Sequence, residues 1–365
     1  ISGFKGLFQD AGLNYSYVAY RQLENQPLGD YKIIVLPTSQ SLSDQEIKGL
    51  ETFVRDGGIL IADIVPGVYD QHGTPRVSNA LRSIFGLQKQ GTIIKDNVIL
   101  KGLAGDLQGM EKELNIYESG IEITSAIPHA SINGNPAMLV NSYGKGKAIY
   151  LACDLIGKCG ELGAMRKNPK NSQIMNPINA FFGQFIEAQN ITPQASVDLA
   201  STKVVTRQLG SAKIIGIIRD ISQTKDFDAA PHDATVQLRE QAHVYDLLEH
   251  KYLGCTDAFT YHFTATTQSV FLLLPYKPER LEAQRAADSI RVSVAVPPGT
   301  KPIDHIFSTV FTAPDGKVSP AYSGLVFGHG AEAVIPFTPP LNQPATGWTV
   351  QVTDAATSLS TTLKF

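Results

Sequence analysis

Helical periodicity ends near residue 196, and that break constrains the fold more than any single motif. Up to about residue 190, short apolar runs alternate with amphipathic stretches. Lys32-Ile33-Ile34-Val35-Leu36-Pro37 is largely apolar and closes on a proline, the pattern of a strand buried on both faces. Ser43 then offers a helix cap, and Glu46 three residues on completes a capping box. Ile47, Leu50, Phe53 and Val54 fall on one helical face. Gly57-Gly58 stops that helix, because glycine tolerates the left-handed conformation a helix end favours. Ile59-Leu60-Ile61-Ala62 is the next buried strand and ends at Asp63. This strand–helix–strand rhythm predicts a mainly parallel sheet with helices on both faces.

Around this frame the pattern predicts a short helix from Phe4 to Ala11, a strand at Tyr15 to Ala19, a helix from Val77 to Phe85 and a last helix from Ile174 to about Gln189. Short strands are expected near Val98, Leu114 and Ala137, and a turn at Gly144-Lys145-Gly146-Lys147 feeds a strand through Ala152. Beyond Ser196, short runs rich in threonine and valine recur between glycine and proline turns, from Lys203 to the C-terminus. Regular short strands of this kind read as β-sandwiches. The expected organisation is an α/β domain over residues 1–190, a β-sandwich over 197–278 and a second over 279–365. The two β-runs at 235–238 and 243–247 read as separate strands, and 275–284 as a joint.

Composition closes off several function classes. Net charge is −3 with no block of lysine or arginine, which argues against a nucleic-acid or anionic-membrane partner. The longest apolar runs, such as Phe271 to Leu274, fall far short of the ~20 residues of a membrane span. Three cysteines cannot build a four-thiolate zinc site, and no histidine pair has metal spacing on an expected helix, so no metal or cofactor is expected. The chain opens at Ile1 without a polar leader, which reads as a piece of a longer polypeptide or as a processed chain.

The order of these segments resembles the class I glutamine amidotransferase-like fold, a flavodoxin-like doubly wound sheet. Within that group it is most similar to the trimerisation domain of family 42 β-galactosidases. The resemblance is carried by Gly29 to Pro37, Leu42-Ser43-Asp44-Gln45-Glu46, Phe53 to Ala62, Leu81 to Leu87 and the hairpin Tyr143 to Tyr150, and it covers roughly residues 1 to 188. Val244 to Gly254, followed by Leu272 to Tyr276, is similar to β-sandwich modules that accompany such domains in bacterial polysaccharide-degrading proteins, and Ala313 to Lys317 with Gly347 to Asp354 resembles an immunoglobulin-like or macroglobulin-like module. The resemblance implies a non-catalytic assembly segment. Its partners would be other subunits or an upstream TIM barrel, with carbohydrate binding as the alternative and a self-sufficient hydrolase as a second one.

An amidotransferase nucleophile is a cysteine on a sharp, glycine-flanked turn after a strand, served by a histidine and a carboxylate. Here the strand ending at Ala62 runs into Asp63-Ile64-Val65-Pro66-Gly67, without cysteine. Cys153 follows a different strand and precedes Asp154-Leu155, again without that glycine pattern. The expected outcome is an inherited fold without the acyl-transfer chemistry. Cys153 and Cys159 have five residues between them and read either as bonded or as buried thiols, with the buried reading favoured.

Asp63 and Asp154 lie just past the carboxyl ends of expected strands, where open α/β sheets bind ligands, and Asp70 and His72 lie on the following loop. These four are the candidate ligand-binding residues. The competing reading is a polar loop whose carboxylates accept backbone N–H groups. Gly144 to Lys147 reads as a β-turn rather than a phosphate cradle, because a strand and not a helix follows it. Glu118 and Glu122 carry no sequence sign of an acid/base pair. Trp348 reads as a core residue, and Tyr245, Tyr252, Tyr261 and Tyr276 are the aromatics on which a sugar would stack.

Overall fold

The computed structural model describes residues 2–19, 22–25, 27–78, 81–158, 169–199, 202–219, 229–264 and 268–365. These fall into two compact units, one running to Thr192 and the other from Pro193 onward.

The first unit is built on a seven-stranded sheet. Its order is Ile33–Leu36, Ile59–Asp63, Gly146–Leu151, Asn135–Tyr143, Ile127–Ile132, Val98–Gly102 and Glu111–Leu114. The strand Ile59–Asp63 is buried throughout. Ile59 and Ile61 point to a core that includes Phe4, Leu7 and Phe8 of the helix Ser2–Asp10 and Phe181 and Phe182 of the helix Pro169–Glu187. Leu60 and Ala62 point to the opposite core, against Ile47, Leu50, Phe53 and Val54 of the helix Asp44–Arg55. Period-two alternation thus separates two apolar faces, which explains why the run has no polar position.

The helix Asp44–Arg55 starts at the expected capping box: the Ser43 side chain accepts from the Glu46 amide at 3.1 Å, and the Glu46 carboxylate accepts from the Ser43 amide at 2.7 Å. Its far end is closed by the Gly144-Lys145 turn, whose Lys145 N–H donates to Arg55 O at 2.8 Å. A Cβ at Gly146 would lie 2.1 Å from Val54 O and 2.3 Å from Gly58 O, so only glycine fits there. The turn joins two strands paired from Tyr143↔Gly146 onward and meets the helix C-terminus, not an N-terminus.

The sheet is mixed rather than mainly parallel. Ile33–Leu36, Ile59–Asp63 and Gly146–Leu151 are mutually parallel, and the remaining four strands are antiparallel. Tight connections such as Gly144-Lys145 cannot join parallel neighbours, which need a long crossover. The expected helix at Val77 to Phe85 is also absent among the described residues of that span: Leu81 to Gly86 form turns. Leu81, Ile84 and Phe85 are buried as one helical turn would bury them, but Leu87 N–H closes back on Arg82 O at 2.8 Å around Gly86 at φ +67°. Among the described residues, 15–19, expected as a strand, are not assigned to one.

The second unit is all antiparallel. One sheet orders Ala195–Val197, His232–Asp246, Gln268–Leu274, Ala212–Arg219 and Thr202–Leu209, with Lys251–Phe263 pairing off His232–Asp246. The runs expected as two strands at 235–238 and 243–247 are one strand, interrupted in register between Gln237 and Ala242. Two further sheets enclose one core around Phe307, Phe311, Phe337 and Trp348. They are Arg280–Ala286, Ser289–Ala295, Glu332–Pro336 and, facing them, Gly324–Phe327, Ile306–Thr312, Thr349–Asp354, Ser360–Lys364. Arg280–Ala286 occupies part of the expected joint. Arg-Leu-Glu-Ala-Gln-Arg-Ala has little intrinsic strand preference, and pairing with Ser289–Ala295 decides its conformation.

Within this unit a buried polar node crosses from the first sheet to the later ones. Tyr276 Oη accepts from Ile303 N–H at 3.0 Å and lies 3.4 Å from His305 Nε2. His305 Nδ1 is 2.9 Å from Asp354 Oδ1, and both side chains are fully buried. Tyr245, Leu272, Leu274 and Ile303 form the apolar collar around it.

Candidate functional site

The carboxyl end of the strand Ile59–Asp63 gathers four polar groups. The chain leaves this strand through a bend in which Ile64 and Val65 both have positive φ, at +37° and +46°. β-branched residues adopt that conformation only when the surroundings impose it. Ile64 N–H donates to Leu151 O at 3.0 Å, and Val65 N–H donates to Glu118 Oε1 at 2.9 Å. The same Glu118 oxygen accepts from Tyr150 Oη at 2.6 Å, and Tyr150 Oη accepts from Gln90 Nε2 at 2.7 Å. Glu118 thus holds the bend from across the sheet end.

Glu118 is 1% exposed, and its Oε2 is buried without a hydrogen bond; the Gly91 amide close by pulls on it only weakly. Burial dominates the hydrogen bonds and pushes its carboxyl up to about 7. The Tyr150 hydroxyl is raised too, by burial and then by Glu118. Asp63 is raised by burial, partly offset by the Thr38 N–H that it accepts, and raised again by Asp154.

Cys153 lies at the end of the neighbouring strand, fully buried, with Sγ 4.0 Å from Ala137 O. Burial raises its thiol, and the carboxyls of Glu118, Asp154 and Asp63 raise it further. A nucleophilic cysteine needs the reverse: exposure and positive neighbours that favour the thiolate. The position after Asp63, where a strained nucleophile turn would sit, carries Ile64. Strain is present there and the thiol is not. Cys159 lies outside the described residues.

Of the four candidate residues, Asp63 and Asp154 come together and act on each other. Asp70 and His72 do not join them. Asp70 Oδ1 accepts from the backbone N–H groups of His72 and Thr74, both at 2.8 Å, in an exposed loop that closes on itself. Those two bonds hold the Asp70 carboxyl below its ordinary value. Among the described residues no group of three or more His, Cys, Asp or Glu side chains is placed to hold a metal. Glu122 is on the surface, 3.7 Å from Lys89, and forms no pair with Glu118. Glu118 and Tyr150 are the residues that sequence reasoning passed over as a pair. Glu118 enters because Tyr117 bridges to Cys153 and Glu118 N–H donates to Ala152 O at 2.8 Å, a register that no local pattern announces.

The fold therefore defines a mixed α/β domain followed by all-antiparallel sheets, with buried carboxyls gathered at the sheet end. Residues 21–161 match the family model described as the beta-galactosidase trimerisation domain. Beta-galactosidase BgaB of Geobacillus sp. is 26% identical over 133 residues, which is 34% of this chain and 19% of that protein. Among solved structures, a GH42 beta-galactosidase from G. stearothermophilus covers 74% of this chain and 35% of its own at a TM-score of 0.55 and 18% identity. Alpha-L-fucosidase isoenzyme 2 from Paenibacillus thiaminolyticus covers 74% and 44% at a TM-score of 0.53 and 14% identity. These two likenesses concern the fold. The matching segment spans about a fifth of the length of the curated relative. The trimerisation-domain match thus lies within the first unit, and a β-rich region follows it.

Proposed function

We propose that this chain is a non-catalytic assembly segment of a bacterial glycoside-hydrolase-like protein, in which the α/β domain docks against other subunits or an upstream barrel. The observation that carries the reading is the match of residues 21–161 to a trimerisation domain. The burial of Cys153 and the thiol-free bend after Asp63 support it, since neither provides a nucleophile for the chemistry of the parent fold. In this reading the α/β domain is a doubly wound, amidotransferase-like sheet over residues 1–190. Residues 197–278 and 279–365 are read as two β-sandwiches, the second immunoglobulin-like; the separate apolar clusters around Phe271 and around Phe311 support that division.

Light scattering on the purified 365-residue chain tests the proposal. Self-association that strengthens with concentration is expected, and a strict monomer at high concentration overturns the oligomerisation role. Asp63 and Asp154 are the residues that a ligand at this sheet end would meet. Turnover of a chromogenic galactoside by the segment alone, abolished by Asp63→Asn, would favour the hydrolase reading instead.

A further inference from the structure

The sheet Gly324–Phe327, Ile306–Thr312, Thr349–Asp354, Ser360–Lys364 turns Phe307, Phe311, Val350 and Val352 to the core. Its alternate positions face solvent, and their chemistry is unusual. Phe327 lies opposite Ile306, and Leu325 lies opposite Ser308 with Val310 next along the strand. Phe327 is 73% exposed and Leu325 64%. Beside this apolar strip the outward residues are hydroxyl and amide side chains, including Gln351, Thr353, Ser360 and Thr362. Three of these are already ordered: Gln351 Nε2 donates to Ser360 Oγ at 3.3 Å, and Thr353 Oγ1 donates to it at 3.2 Å. Among the described residues of this face, Lys364 at one corner is the only charged side chain. Soluble surfaces ordinarily carry roughly a quarter to a third charged residues.

Size separates the possible occupants. Four strands about 4.8 Å apart and four to seven residues long, at ~3.3 Å per residue, give a face of roughly 300 Å². A stable protein partner needs about 800 Å² on each side. The face is too small for that, but suits one extended chain lying across it. An acidic chain would need more cations than the single lysine, Lys364, that this face carries among the described residues. A sugar ring offers weakly positive C–H groups to the negative face of an aromatic ring, and hydroxyls to hydroxyl and amide side chains.

We propose that this sheet face binds a neutral polysaccharide chain, with Phe327 as the stacking platform and the Gln351–Thr353–Ser360 row as its hydrogen-bonding rail. The surface is distinct from the tyrosines considered above, of which Tyr245 and Tyr276 are buried. It is also independent of the assembly role of the α/β domain, so either proposal can fail alone.

Affinity electrophoresis of the full chain through gels containing soluble galactan, xylan or glucomannan, with polygalacturonate as the acidic control, tests it. Retardation is expected in at least one neutral polymer and not in polygalacturonate. Phe327→Ala should weaken it roughly tenfold, with Trp348 fluorescence confirming an unchanged fold. Migration unaffected by every neutral polymer overturns the proposal. So does retardation that survives Phe327→Ala combined with Ile306→Thr. Concentration-dependent self-association lost in Phe327→Ala, without polymer binding, would assign the face to a second copy of the chain and overturn it too.

Discussion

Glu118→Gln should change how stability depends on pH more than it changes stability at any one pH. Glu118 is buried, with its carboxyl at about 7 in the fold against an ordinary 4.5. The unfolded chain therefore ionises first as pH rises. Between 4.5 and about 7 the native state binds more protons than the unfolded state, so stability is lost as pH rises through that window. At ~1.36 kcal/mol per pH unit, the loss between about pH 5 and about pH 8 comes to roughly 2.5 kcal/mol. Glutamine resembles the protonated acid: its oxygen can still accept from Val65 N–H and Tyr150 Oη, but it cannot ionise. Its buried NH₂ costs ~1–3 kcal/mol at all pH values, because it takes the place of Oε2, which makes no hydrogen bond. The variant should thus be less stable than the wild type near pH 5 and draw level or pass it near pH 8. Urea unfolding followed by far-UV helical ellipticity reads the first unit, because every described helix lies there. Fluorescence of Trp348, the sole tryptophan, reads the second unit and should not respond. Parallel stability–pH curves for wild type and variant would refute the reasoning, because they would mean that Glu118 titrates alike folded and unfolded.

Gly146→Ala should cost the first unit about 1–3 kcal/mol, read as a lower midpoint of helical ellipticity, because the new methyl meets Val54 O and Gly58 O. Ser43→Ala removes one half of the capping box and should cost ~1 kcal/mol in the same assay. Trp348→Ala should cost the second unit about 3–5 kcal/mol, since the indole is 1% exposed and its Nε1 donates to Pro344 O at 3.0 Å; near-UV circular dichroism would follow the loss. Cys153 should resist thiol reagents in the native state and react only on unfolding, which timed labelling with a maleimide would check.

The sequence carried those parts of the fold that rest on local signals. The Ser43–Glu46 box, the Gly57-Gly58 stop and the buried run at Ile59 to Ala62 lie where their chemistry puts them. What it could not carry was pairing. Asn135–Tyr143 and Ile127–Ile132 have no feature that distinguishes a parallel from an antiparallel neighbour, and Arg280–Ala286 becomes a strand only through Ser289–Ala295. The candidate site shows the same division. Asp63 and Asp154 were legible because strand ends are legible. Glu118 was not, because its place beside them depends on a bridge between Tyr117 and Cys153, far apart along the chain. Asp70 and His72 are near in sequence to Asp63, yet their loop folds onto its own backbone.

The Tyr276–His305–Asp354 node bears on how the C-terminal half can be inherited or dissected. A gene fusion, protease nick or deletion between residues 277 and 279 would leave Tyr276 on one fragment and His305 with Asp354 on the other. Each piece would display a severed circuit and an oily rim from Leu272, Leu274 and Ile303. Recombination can therefore transplant residues 193–365 as one cassette, whereas expressing either side of that cut alone should yield sticky, short-lived material.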